Sequence, residues 1–375
     1  MTDPMKTLDD SGRPTPTPVS QKTYAIAGIS VTVHGLEELH STTKNVACLW
    51  LLHPRLATQE RMAGIAASAI GDWNSNPQSK STKGLIAVSF DQRNHGTRLV
   101  DPLANEAWRQ GNPRHAQDMF SLFQGTARDT SLLMDYLASF IFPNDEHHIS
   151  ENLVLGVSLG GHAAWSCLLH DPRMTAGVII IGCPDYLNLM VDRARLSKLP
   201  SWTKSSPPGS EILGSEAFPS SFVETVKRYD PASLFLGAME CNSDSGVISG
   251  GSSTKYPGPA RDSPLPEPTE KEKAKLRPLL SKCLADKRIL NISGGSDKLV
   301  PYHRGEVFLT WFKKAIAADG WFGDGGVTFE DIIDQSAGHE VTANMADEAI
   351  RFISETLAAG NEDKGRRGSV RESKI

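Results

Sequence analysis

The chain has 375 residues, 39% hydrophobic and 22% charged, with a formal net charge of −5. These values fit a soluble globular protein whose core can fill one large domain plus an insertion, and the mild negative balance gives no electrostatic basis for binding nucleic acid. No apolar run reaches the ~18 residues needed to cross a bilayer, and the stretch from Met1 to Lys6 lacks the apolar centre of a secretory signal, so a cytoplasmic location is expected. Cys48, Cys167, Cys183, Cys241 and Cys283 lack C-x-x-C spacing, which offers neither a disulfide framework nor a zinc site.

Residues 1–21 are polar and carry Pro14, Pro16 and Pro18, the composition of a disordered lead-in. From Thr23 to Leu39, alternation of Tyr24, Ile26, Ile29, Val31 and Val33 predicts two edge strands around Gly28. Val46 to Leu52 is continuously apolar, as a strand buried on both faces must be, and it stops at His53-Pro54-Arg55. A helical pattern runs from Gln59 to Trp73. Gly84 to Phe90 is a second buried strand, ending in Asp91-Gln92-Arg93-Asn94-His95-Gly96. Ala127 to Phe142 is amphipathic and reads as a helix. An apolar strand ending at Val157, a helix from Gly160 to His170 and a strand from Ala176 to Ile181 follow. Strands alternating with helices predict an α/β fold with a parallel sheet and right-handed crossovers.

The alternation stops at Pro184. Residues 185–284 read as an insertion, a lid over the carboxyl edge of the sheet. Its first half carries large apolar anchors, Trp202 and Phe218 among them, expected to line an apolar pocket; Asn242 to Pro268 is rich in Ser, Gly and Pro. The α/β pattern resumes at 285–358 with a strand from Arg288 to Ile292, a helix from His303 to Ala318, a strand from Val327 to Ile332 and a helix from Ala343 to Leu357. The core is thus expected over 22–184 and 285–358. Residues 359–375 are charged and read as an unfolded tail.

Gly156-Val157-Ser158-Leu159-Gly160-Gly161 joins a strand to a helix through a serine flanked by glycines. Such a turn lifts the hydroxyl to the carboxyl end of the strand and aims the N–H of Leu159 at the position of a developing oxyanion. A serine hydroxyl is a weak nucleophile until an imidazole takes its proton, and the imidazole needs a carboxylate to fix its tautomer. Among the eleven histidines, His339 follows the last strand in Ser336-Ala337-Gly338-His339-Glu340 and is the strongest candidate base. Asp297 lies in a glycine-rich turn closed by Pro301 and is the favoured acid. Asp185, after the preceding strand, is its rival.

Gly156-Val157-Ser158-Leu159-Gly160-Gly161-His162, Asp91 to Gly96, Gly295-Ser296-Asp297-Lys298-Leu299-Val300-Pro301 and Gly338-His339 together resemble the α/β-hydrolase superfamily in order and spacing. The resemblance spans Val46 to Leu357 and is loosely closest to esterases similar to prolyl-oligopeptidase-like hydrolases. It implies an eight-stranded, mostly parallel sheet, no cofactor, and attack by Ser158 on an acyl carbon. Where the family usually has His-Gly this chain has His53-Pro54, and Pro54 has no N–H. The second oxyanion donor is then expected from the backbone of Arg55 or a neighbour, and the Arg55 guanidinium reads first as a solvated loop charge and second as a partner for an anionic substrate group. Asp91 to Gly96 reads as architectural, with a positive φ at Gly96 and Asp91 within reach of Arg93.

The expected function is hydrolysis of a small, partly apolar carboxylic ester or thioester. Amide or carbon–carbon bond cleavage and acyl transfer use the same triad, and a ligand-binding protein without turnover has no need of Ser158, Asp297 and His339 together. Two tail signals complete the reading. Ser373-Lys374-Ile375 differs by one residue from a peroxisomal address, the alternative location, and Arg366-Arg367-Gly368-Ser369-Val370 resembles a basophilic kinase site.

Overall fold

A computed structural model describes residues 3–77, 83–239, 265–359 and 369–375. Among the described residues nine strands form one sheet: β1 (Gln21–Ile26), β2 (Ile29–His34), β3 (Asn45–Leu52), β4 (Gly84–Phe90), β5 (His148–Val157), β6 (Met174–Ile180), β7 (Arg288–Gly294), β8 (Thr328–Asp334) and β9 (Ser369–Lys374). Their spatial order is β1-β2-β4-β3-β5-β6-β7-β8-β9. The hairpin of β1 and β2 is antiparallel and lies antiparallel on β4; every other pairing is parallel.

Around the sheet lie α1 (Lys6–Asp9), α2 (Ala63–Ser75), α3 (His115–Ile141), α4 (Leu159–His170), α5 (Tyr186–Leu196), α6 (Pro200–Thr203), α7 (Ser220–Tyr229), α8 (Pro231–Ala238), α9 (Glu270–Leu284), α10 (Glu306–Ile316) and α11 (Ala343–Ala359). β3 shows why its sequence is apolar throughout. Cys48, Trp50 and Leu52 join a cluster that includes residues of α3, α4, α9 and α10, while Ala47, Leu49 and Leu51 face a second cluster with α2 and α11. Successive side chains of one strand thus cover both faces.

Several sequence expectations are corrected. The tail does not end as an unfolded run: Ser369–Lys374 is β9, parallel to β8, with Ile375 N–H on the Ile333 carbonyl at 3.1 Å and Gln335 N–H on the Ile375 carbonyl at 2.9 Å. Its charges have partners supplied by the fold, Arg371 with Glu330 (3.3 Å) and Glu372 with Lys313 (2.8 Å), and it covers the otherwise open edge of β8. Ser373 and Lys374 are paired with Ile332 and Ile333 in this ladder. The kinase-like motif lies outside the described residues from Arg366 to Gly368.

The lead-in is also docked. Met5 is 3% exposed in the cluster that holds α2 and α11, Arg61 pairs with Asp3 at 2.6 Å, and the Val341 N–H donates to the Pro4 carbonyl at 2.8 Å. In the insertion, Phe218 is fully buried against Phe222 with ring centroids 4.8 Å apart, and Trp202 covers Gly209, where a Cβ would fall 2.5 Å from the ring. Phe218 thus packs in the core, and Trp202 packs on the turn at Gly209. Most of the Ser/Gly/Pro stretch, at 242–264, and Cys241 fall outside the described residues. Among the described residues no helix is long and apolar enough to cross a membrane.

Candidate active site

The site begins with the turn between β5 and α4. Ser158 has φ 55° and ψ −109°, a conformation that costs a non-glycine residue of order 1–3 kcal/mol and persists only where its surroundings enforce it. Here they do. A Cβ on Gly156 would lie 1.9 Å from the Gly160 carbonyl oxygen, and one on Gly160 would lie 2.0 Å from that of Leu52. The two glycines let β5, α4 and the end of β3 meet backbone to backbone. The Ser158 N–H is held by the Ile180 carbonyl of β6 at 2.9 Å, and its own carbonyl accepts from His162 N–H at 3.0 Å.

The same device recurs at the opposite side of the site. A Cβ on Gly294 would sit 2.3 Å from the Gly338 carbonyl oxygen, so the turn after β7 lies directly against the loop after β8. The Gly295 N–H donates to Asp334 O at 2.7 Å and that of Ser296 to Ala337 O at 2.9 Å. These two loops carry Asp297 and His339. Ser158 Oγ lies 2.9 Å from His339 Nε2, and His339 Nδ1 lies 2.8 Å from Asp297 Oδ2. The other carboxylate oxygen, Oδ1, accepts from the N–H groups of Leu299 (2.7 Å) and Val300 (2.8 Å).

Asp297 is 5% exposed. Burial pushes its carboxyl up, but the hydrogen bond and charge of His339 and the two backbone N–H groups outweigh burial and hold it below the usual carboxylate range. The acid therefore stays ionised beside the imidazole.

The rival acid has other work. Asp185 is the N-cap of α5, accepting from the Asn188 N–H at 3.1 Å. Beside it Asp230 caps α8 and also takes the Tyr186 N–H. Burial, then the Asp185 charge, raises the Asp230 carboxyl above the usual carboxylate range.

Three histidines near the sheet edge are built as neutral rings. His53 Nδ1 donates to the Pro54 carbonyl (2.8 Å) while its Nε2 accepts the Gln92 N–H (3.0 Å), and burial lowers it to about 4. His162 lies 3.1 Å through Nδ1 from the Cys183 carbonyl and stacks on Phe123; burial, with the Arg193 charge behind it, lowers it to about 3. His95 packs edge-on to His53, and its Nδ1 donates to the Arg93 carbonyl.

Asp91 accepts from the Gln59 N–H and from Thr97 N–H and Oγ, and Gly96 has φ 52°. Arg93 does not pair with Asp91 as expected. It reaches across to Asp129 on α3 at 2.8 Å, joined there by Arg98.

No family model matches the sequence, and no curated protein matches it either. Solved structures do. The Thermus thermophilus protein TT1662 shares 16% identity over 91% of this chain and 99% of its own, with a TM-score of 0.51. An esterase of Pyrococcus furiosus, Pf2001, shares 14% over 95% of each chain (TM-score 0.41), and an acylaminoacyl peptidase of Pyrococcus horikoshii 11% over 95% of this chain and 42% of its own (TM-score 0.42). The chain has the α/β-hydrolase fold.

On this α/β-hydrolase sheet, Leu159 is the first residue of α4, where a helix leaves its N–H groups without intrahelical acceptors. Gly160 presses α4 against the Leu52 and His53 carbonyls, so the loop bearing Arg55 starts beside the elbow. Arg55 is 8% exposed, with Nη1 on the Asn105 carbonyl at 2.6 Å; burial, then the Arg193 charge, lowers it to about 10. Arg193, which the sequence reading did not single out, comes from α5 and donates through Nη2 to the Leu299 carbonyl at 3.0 Å, on the turn that holds Asp297. Among the described residues no group of three or more His, Cys, Asp or Glu is placed to hold a metal ion.

The close approach at the elbow is testable. Gly160→Ala drives a methyl into a backbone carbonyl and should leave the protein unfolded or lower Tm by about 10 °C or more, whereas Gly71→Ala, in open space on α2, should raise it by a degree or more. Equal melts for the two variants would contradict the packing described.

A second expectation concerns acid. His34, His53, His115 and His162 are lowered by burial to about 4, 4, 2 and 3. Below pH ~6.5 the unfolded chain takes up protons at these histidines that the folded chain refuses, so stability falls with falling pH. Melting scans should show Tm declining steadily from pH 6.5 to 4; a flat profile would contradict the neutral buried rings.

Proposed function

We propose that the protein is a serine hydrolase that cleaves a carboxylic ester or thioester through an acyl-enzyme. The observation that carries this reading is the unbroken hydrogen-bonded chain from Ser158 Oγ through His339 to Asp297, with the nucleophile in a strained turn at the start of a helix. His339 Nε2 takes the proton as Ser158 Oγ bonds to the acyl carbon. Negative charge on the former carbonyl oxygen is met by the N–H of Leu159, by the positive end of α4 and by the backbone N–H of Arg55. Collapse breaks the bond to the alcohol or thiol, which leaves with the proton from His339. Water then repeats the sequence in reverse roles and releases the acid.

Asp297 holds Nδ1 protonated, so that Nε2 is the basic nitrogen, and stabilises the imidazolium once formed. The substrate is a small acyl compound; its length and the choice among ester, thioester and amide are to be read from a panel of chromogenic substrates.

The triad acts as a unit. Ser158→Ala or His339→Ala should each cost roughly 10⁶-fold in kcat, with the double variant little worse, and Asp297→Ala about 10⁴-fold. Asp185→Ala should lower Tm through a lost helix cap and leave the order of magnitude of kcat intact. Kinetics on all variants, each shown folded by melting, would contradict the assignment if Asp185→Ala abolished turnover while Asp297→Ala retained it, or if Ser158→Ala stayed active.

A further inference from the structure

Residues 3–13 touch both the loop that carries His339 and the loop that carries Arg55. Within them α1, Lys6–Asp9, is a single turn, too short to hold its shape alone, so its conformation is set by what it docks on.

The His339 loop is tied first at its root. Both oxygens of the Asp334 carboxylate are spent there, Oδ1 on Ser336 (N–H at 3.1 Å, Oγ at 2.8 Å) and Oδ2 on the Thr342 hydroxyl (2.7 Å). The outer part of the loop, which bears His339 itself, is held from residues 3–13. The Val341 N–H donates to the Pro4 carbonyl at 2.8 Å. The Thr7 hydroxyl donates to Glu340 Oε2 at 2.5 Å, while Glu340 Oε1 accepts the Gly338 N–H at 3.0 Å. The backbone on each side of His339 is thus fastened through groups that Pro4 and Thr7 supply. Arg13 adds a bond to the Ala343 carbonyl at 3.0 Å and pairs with Asp347 on α11.

The same segment grips the other loop. Asp3 pairs with Arg61 Nε at 2.6 Å, and Asp9 pairs with the same guanidinium. Asp3, Arg55, Thr58 and Arg61 line one cavity of about 450 Å³, so this tie reaches the loop from which the second oxyanion donor is drawn. Between the two ties lies Met5, 3% exposed, in the cluster that also holds Met62 and Ile65 at the start of α2 and Val341 and Met345 at α11. Exposed ion pairs contribute little alone, so the buried methionine supplies most of the docking.

We propose that residues 3–9 are a positioning strap: Met5 pins them to the core, Pro4 and Thr7 hold the His339 loop within hydrogen-bonding reach of Ser158, and Asp3 and Asp9 fix the loop of Arg55 against it. This rests on the serine-hydrolase reading above. The strap takes no part in bond making; it removes the freedom of an imidazole whose proton transfer tolerates little displacement.

The test times labelling of Ser158 by a fluorophosphonate in the full chain, at a temperature well below every Tm. Met5→Asp puts a charge where the core takes a methionine and undocks the strap; Met5→Leu keeps the volume and the apolar surface. Thr7→Val is an exposed change that removes only the hydroxyl held by Glu340. The labelling rate constant should fall about tenfold or more in Met5→Asp, since misplacing a catalytic group by about 1 Å costs on the order of 100-fold. It should stay near native in Met5→Leu and fall about threefold in Thr7→Val, the worth of one net hydrogen bond. Once a substrate is in hand, the loss should fall on kcat and spare KM. A segment that only stabilises the fold would lower Tm and leave the rate constant alone. An unmoved rate in folded Met5→Asp therefore overturns the proposal, and where that variant does not fold an unmoved rate in Thr7→Val does so. If native protein does not label, the hydrolase reading is what fails, and hydrogen exchange decides the strap separately. The Gly338 and Val341 amides should be protected in native protein and exchange faster in Met5→Asp and Thr7→Val; amides unprotected in native protein, or exchanging equally in all three, overturn the proposal.

Discussion

The backbone around Ser158 is pressed against its neighbours more closely than any side chain allows. Gly156 touches Gly160, Gly160 touches the end of β3, and Gly161 packs on Gly182 after β6, where a Cβ would come 3.1 Å from the Gly182 Cα. These contacts hold Ser158 at a positive φ and set the hydroxyl where a histidine from a loop 181 residues away in sequence can reach it at 2.9 Å. The second glycine contact, Gly294 on Gly338, does the same for the acid turn and the histidine loop. The site is therefore a product of sheet geometry: β5, β7 and β8 end at one edge, and the glycines let their loops close on one another.

Charge is managed by the same packing. Buried His53 and His162 have hydrogen-bond partners that suit the neutral ring, and burial keeps them neutral. The His339 Nδ1 instead faces the Asp297 carboxylate, whose other oxygen accepts from two backbone N–H groups.

Much of this was legible in the sequence because it is local. Continuous apolar runs marked β3, β4 and β6, the Gly-x-Ser-x-Gly turn marked the elbow, and Gly-rich turns after β7 and β8 marked Asp297 and His339. What escaped depends on partners distant in the chain. Arg371 and Glu372 read as a solvated tail because nothing nearby announces Glu330 and Lys313 as their counter-charges. α3 begins at His115 rather than at Ala127: its early part buries Met119, Phe120, Leu122 and Phe123 but holds Gly125, a weak helix former that makes room for the Arg93 side chain on its way to Asp129. Arg193 sits in an ordinary amphipathic helix; only the fold distinguishes it from Arg195, which turns outward to Asp192.

We propose that the Ser158 turn, His339 and Asp297 make one hydroxyl of this chain abnormally nucleophilic. Labelling with a fluorophosphonate, which captures activated serines whatever the acyl specificity, followed by peptide mass spectrometry, tests it without a known substrate. The account predicts a single adduct on Ser158 in native protein, greatly slowed in His339→Ala and absent in Ser158→Ala. Failure of folded native protein to label, or an adduct on another serine that persists in Ser158→Ala, would contradict it.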